Sequence, residues 1–153
     1  MLARAAHLSL PGSDGWLRTG DIGRLDAQGY LYLVGRTHDR IVRGGENVYP
    51  AEVEQVLESH PGVAAAGVVG VPDERLGQTI AAFVVASDAS HPPDASGLRR
   101  YTRERLVGFK VPAFWYSVGS LPHSAAGKLL RRELASWHAD PAAGERVAEL
   151  PSA

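Results

Sequence analysis

Lys128 follows a glycine in the stretch Leu121-Pro122-His123-Ser124-Ala125-Ala126-Gly127-Lys128. It is one of two lysines among 16 basic residues, the other being Lys110. Arginine serves everywhere else, so each lysine invites a reason, such as a compact point charge in place of a planar fork. Two further segments gather polar residues around glycines. One is Gly15-Trp16-Leu17-Arg18-Thr19-Gly20-Asp21. The other runs from Gly35-Arg36-Thr37-His38-Asp39-Arg40 through Arg43-Gly44-Gly45-Glu46-Asn47 to Pro50-Ala51-Glu52-Val53-Glu54. Taken singly, they read equally as a strand with a turn, a loop with a helix cap, and a loop before a helix. Other chemistries find no residues. The six histidines (7, 38, 60, 91, 123 and 138) include no pair at metal-ligand spacing. Pro122 stands where a P-loop needs its first glycine, and Leu129 where it needs a hydroxyl. There is no Gly-x-Ser-x-Gly elbow. The absence of cysteine removes thiolate metal sites and a cysteine nucleophile.

The elements that position these segments are partly legible. Leu17 to Leu25 and Tyr30 to Val34 flank the turn Asp26-Ala27-Gln28-Gly29 and predict a hairpin, with Gly35 ending the second strand. Ile41-Val42 precedes a glycine loop. Pro50 then opens a helix over about 50–59, with Val53, Val56 and Leu57 on one face. Val63 to Val71 and Thr79 to Ala86 read as buried strands. Leu98 to Leu106 reads as a second helix, Ala113 to Val118 as a core strand, and Leu129 to Trp137 as a short third helix. Residues 1–15 read as an irregular lead-in and the last 16 as a mobile tail. The order predicts an α+β fold: a small mixed or antiparallel sheet flanked by helices, preceded by a hairpin.

Composition sets the class. The chain has 153 residues, 44% hydrophobic and 22% charged, with a net charge of -1. It is large enough for one core, and no basic excess points to nucleic acid. The longest apolar run, Val63 to Val71, falls short of the roughly 20 residues that span a bilayer. Arg4 and His7 interrupt anything resembling a secretory signal. The expected setting is cytoplasmic.

The three segments together, in this order and spacing, resemble the adenylate-forming (AMP-binding) superfamily, which holds acyl-CoA synthetases, luciferases and the adenylation domains of peptide synthetases. The likeness runs from about Gly15 to Trp137 and is nearest to acyl-CoA synthetases and fatty-acid–CoA ligases. It covers only the C-terminal portion of such enzymes. The resemblance implies three parts: 1–38 as the end of the large N-terminal domain up to the hinge, 39–137 as the C-terminal domain, and 138–153 as a tail.

The implied reaction is attack of a carboxylate on the α-phosphate of ATP-Mg, then transfer of the acyl group to the thiol of CoA. By resemblance, Lys128 is the catalytic lysine, its ammonium bridging carboxylate and phosphate as negative charge gathers. Asp21 takes the ribose hydroxyls, since an ionised carboxylate only accepts. Arg36 helps hold the nucleotide, and Asp39 is the hinge. Gly44 and Gly45 face the pantetheine of CoA, flanked by Arg43 and Glu46. Arg43 either meets a CoA phosphate or is solvated. Val42 and His123 stand where relatives often carry a basic residue. The run Glu46 to Pro50 looks like acyl-CoA ligases, favouring free CoA over a carrier protein. A fatty or medium-chain acid is expected, though the missing domain holds that pocket.

The implied partners are a large adenylation domain, in cis or in trans, with ATP or AMP, CoA and a carboxylic acid. No bound metal, nucleic acid or transmembrane segment is expected. The orphan hairpin could pair with a second copy. Alone, the chain should not catalyse. Acetylation of an exposed Lys128 would erase its charge and stop adenylation. Alternatives are a free-standing docking or regulatory module, a peptide-synthetase-type piece acting on a carrier protein, and a defunct remnant.

Overall fold

The computed structural model describes residues 15–140 and, as backbone, 147–149. A two-stranded antiparallel hairpin, β1 (Asp21–Leu25) and β2 (Leu31–Arg36), stands first. Its turn is built by Asp26, whose carboxylate accepts from the backbone N–H of Gln28 and Tyr30 and from the Tyr32 hydroxyl. The hydrogen bond from Tyr30 leads the causes that hold the Asp26 carboxyl below its ordinary pKa, against a desolvation cost. The first strand is shorter than expected because Gly20, at φ +78°, turns the chain before Asp21. The second runs through Gly35 instead of ending there. A Cβ at Gly35 would lie 3.2 Å from Tyr49, so the glycine serves close packing and not termination.

The main sheet has six strands. β3 (Ile41–Arg43) and β4 (Glu46–Val48) form a tight hairpin where a loop was expected. Gly44 and Gly45 form its turn, at φ +58° and +88°. Positive φ at both central residues is the two-residue turn that matches strand twist, and glycine adopts it without strain. β5 (Val63–Asp73) and β6 (Gly77–Ala86) are long antiparallel partners, each running past its expected limits. β7 (Phe114–Val118) lies parallel to β6, and β3 meets β6 at Gly77. The sheet is therefore mixed. β8 (Val147–Glu149) pairs antiparallel with β7, inside the stretch read as a tail. Helix also continues to Ala139, two residues into the same stretch. The rest of 138–153 and most of the lead-in lie outside the described residues.

Helices cover both faces. α1 (Pro50–Glu58) begins at its proline and buries Val53 and Leu57. α2 (Ala95–Arg103) starts three residues before the expected Leu98, because the Asp94 carboxylate caps it by accepting from Gly97 N–H at 2.7 Å. α3 (Arg131–Ala139) starts two residues late: Leu130 is held outside the helix at φ −89° and ψ 77°, with its N–H on the Pro122 carbonyl at 2.9 Å.

Alternation along β6 splits the core into two. Ile80, Ala82 and Val84 face a cluster with Val53, Leu57, Leu98 and Trp115, under α1 and α2. Ala81 and Phe83 face a second cluster with Val69, Val71 and Leu134, under α3. Gly67 of β5 lets α3 seat closely: a Cβ there would lie 2.7 Å from Leu134 Cδ1.

Candidate functional site

Lys128 sits on a loop whose backbone is pinned from both sides. Ser124 N–H donates to the Lys128 carbonyl at 2.8 Å, and Lys128 N–H donates to Ser124 Oγ at 3.2 Å. Gly127 closes the turn at φ +76°, with its N–H on the Ser124 carbonyl. His123 pairs with Leu129 across this miniature hairpin, and its imidazole contacts the Leu121 carbonyl. Leu121 and Leu129 anchor the loop in the second core cluster. The root of the lysine is thus fixed. Its side chain is exposed, and the ammonium has no ionic or hydrogen-bonding partner among the described residues. Lys110 has the opposite fate. Its Nζ lies 2.7 Å from both carboxylate oxygens of Glu52 in the first turn of α1.

Lys128 borders an open cleft of about 530 Å³, shared with Asp39, Ile41, Pro50, Gly70, Leu129 and Arg131. An adjoining recess adds Gly35 and Arg36 to Asp39, Lys128 and Arg131. The fold therefore brings three expected site residues, Arg36, Asp39 and Lys128, to one cavity. Asp21 joins them at one remove. It faces Arg36 across the β1–β2 register, with its carboxylate 2.9 Å from Arg36 Nε.

Gly44 and Gly45 do not line that cleft; three-residue β3 separates them from Asp39 and Arg40, a span of about 10 Å. Gly44 N–H donates to the Leu76 carbonyl at 2.9 Å, which docks the turn on the β5–β6 connection. Gly45 is open: a Cβ there would meet nothing within 4 Å. Glu46 is exposed beside it. Lysine loop and glycine turn thus present two different surfaces. Arg43 is not simply solvated. It is half-buried, and its Nη1 donates to the Phe109 carbonyl at 2.7 Å. It braces the turn against the segment after α2.

One residue central to this geometry was not singled out from sequence. Arg131, at the start of α3, makes a two-pronged ion pair with Glu54 of α1, its Nη2 lying 2.9 Å from Oε2. Its Nη1 also donates to the Val68 carbonyl at 2.9 Å, while Val68 N–H donates to Glu54 at 2.8 Å. Two charged side chains thereby cover the outer edge of β5. The Arg131 Nε lies 3.6 Å from Asp39 Oδ2. Burial opposes the Arg131 charge, but Glu54 and then Asp39 outweigh it and raise its pKa. Its trace in the sequence is complementary charge alone, Glu54 in α1 and Arg131 in α3.

Among the described residues, no three His, Cys, Asp or Glu gather closely enough to hold a metal ion. No helix among them is long and apolar enough to cross a membrane.

Comparison with known proteins places this geometry. A 2-succinylbenzoate–CoA ligase from Geobacillus kaustophilus (strain HTA426) is 57% identical over 120 residues, which is 78% of this chain and 24% of the ligase. A fatty acid–[acyl-carrier-protein] ligase, ScoC, from Streptomyces coeruleorubidus is 50% identical over 121 residues, 79% of this chain and 23% of that protein. The chain thus spans about a quarter of the length of the curated relatives it matches. Among solved structures, o-succinylbenzoate CoA synthetase (MenE) from Bacillus subtilis, in complex with the acyl-adenylate intermediate OSB-AMP, superposes with a TM-score of 0.77 at 44% identity. That match covers 85% of this chain and 27% of the synthetase. The model of the AMP-binding enzyme C-terminal domain matches residues 52–128, half of the sequence, and the chain belongs to that family.

Proposed function

We propose that this chain is the mobile lid of an ATP-dependent acyl-CoA ligase, serving both halves of the reaction against a large adenylation domain. The observation that carries this reading is the free, exposed Lys128 ammonium in a cleft shared with Asp39 and Arg36. In the first half, the lid presents Lys128 to the carboxylate and α-phosphate, where a preorganised cation stabilises the charge that develops. Asp21 and Arg36 hold the nucleotide. Their ion pair aims the guanidinium and leaves the second Asp21 oxygen to accept from a ribose hydroxyl.

Rotation about Asp39 then turns the other surface inward. Gly44, Gly45 and Glu46 meet the pantetheine arm, with Arg43 bracing the turn from behind. The open backbone at Gly45 suits close approach of a narrow chain. Magnesium belongs with ATP as substrate. Residues 1–38 belong with the large domain and 39–137 form the lid. The exposed Leu25, Tyr30, Leu31 and Leu33 on the hairpin support this division, as apolar surface awaiting a partner. The large domain selects the acid. A 2-succinylbenzoate-like acid is the first candidate, and a fatty acid the second, following the substrates in the relatives' names.

The test mixes the chain with a large domain lacking its own C-terminal portion, plus ATP, magnesium and CoA. The acids supplied are 2-succinylbenzoate and medium- and long-chain fatty acids. Acyl-CoA and AMP should form only when both proteins are present. No product with any acid, from a large domain that regains activity with its own lid, would refute the reading.

A further inference from the structure

We propose that Arg131 is a positioning residue that gives the hinge its preferred setting. Arg131 lies three residues after Lys128, and its terminal nitrogens are already committed to Glu54 and to the Val68 carbonyl. Those three contacts join α3, α1 and β5 within the lid. A guanidinium is a rigid planar fork, so fixing its two outer nitrogens also fixes Nε. That remaining nitrogen lies 3.6 Å from Asp39 Oδ2. Asp39 thus meets a cation that cannot swing to follow it. In the setting seen here, Asp39, Arg36 and Lys128 share one cavity with Arg131.

The inference deepens the proposed function and rests on its assignment of Asp39 as the hinge. Turning the backbone at Asp39 withdraws its carboxylate from Arg131, whereas the contacts to Glu54 and Val68 travel with the lid. The Asp39–Arg131 pair is partly exposed, with 32% and 23% of the side-chain surfaces accessible. Such a pair biases a two-state balance by about fivefold at most. That is enough to favour the lysine-presenting setting and weak enough to release in every cycle.

The test is backbone ¹⁵N relaxation on the full chain without nucleotide. Relaxation dispersion at the amides of residues 37–40 should show exchange contributions that grow in Asp39→Asn, as the two settings approach equal population. The urea midpoint should hold, since Arg131 keeps its other contacts. Arg131→Lys, which retains charge but loses the fork, should loosen the same amides. The double variant should be no looser than either single one, as expected of two groups acting through one contact. Hinge amides unchanged in Asp39→Asn, or additive loosening in the double variant, would overturn the proposal. If Arg131→Lys does not fold, the Arg131 Nε–H resonance decides: it must shift in Asp39→Asn, and an unmoved signal counts against the contact. Reconstituted ligase activity with an indifferent hinge sinks only this inference. A coupled hinge without reconstituted activity sinks only the functional reading.

Discussion

Lys110 spends its charge on Glu52, whereas Lys128 projects from a pinned loop into open space. That contrast makes Lys128→Ala the most informative single change. In an enzyme completed by a large domain, it should lower adenylation by about 10²–10³. Thioester formation from preformed acyl-adenylate should continue, because the glycine turn lies elsewhere. Following pyrophosphate release and CoA consumption separately checks this, and an equal fall in both halves would contradict the role. Arg43→Ala should act on stability instead. Losing its bond to the Phe109 carbonyl should cost about 1–3 kcal/mol in urea unfolding. Lys128 stood out in sequence through its rarity and its glycine, and its expected role came from the family resemblance. Arg131 was not, because Glu54 lies 77 residues away and no local pattern encodes a pair at that distance.

At the scale of elements, the succession of longer strands and helices along the chain was readable because period-2 and period-3.6 patterns are local. The ends were less so, being set by single hydrogen bonds. Asp94 draws α2 forward, and Leu130, bonded to the Pro122 carbonyl, stays outside α3. The β3–β4 hairpin was hidden because its strands are three residues each, too short to show a period. Helix α3 depends on Gly67. Gly67→Ala should drive a methyl into Leu134 and its neighbours Leu121 and Leu129, costing about 1–3 kcal/mol. Chemical denaturation checks this, and an unchanged midpoint would mean that the helix shifts freely. The end of α3 carries a pH dependence as well. Burial lowers the pKa of His138 below 6.5, and its Nδ1 lies 2.7 Å from the Tyr116 hydroxyl. A lowered pKa means that the folded state binds the proton less readily than the unfolded chain. The stabilisation is complete above 6.5 and fades as pH falls through the folded value. Urea midpoints between pH 5 and 7.5 should therefore drop more steeply in the wild type than in His138→Gln.

For the whole molecule, the hairpin and the sheet behave as unequal partners. The hairpin leaves Leu25, Tyr30, Leu31 and Leu33 more than half exposed, whereas the sheet buries both faces. Removing residues 1–34, which keeps Gly35 against Tyr49, should consequently shift the sheet's unfolding free energy by less than about 0.5 kcal/mol, as expected for surface changes. Circular dichroism of the truncated chain in urea checks this. A large loss would mean that the hairpin stabilises the lid.

The economy of lysine has a practical consequence. One side-chain amine is clamped by a carboxylate and the other stands clear, so an amine-selective ester will mark position 128 far faster than position 110. A dye attached there would report, by energy transfer, how far the flap stands from its partner, at the cost of the charge that adenylation needs.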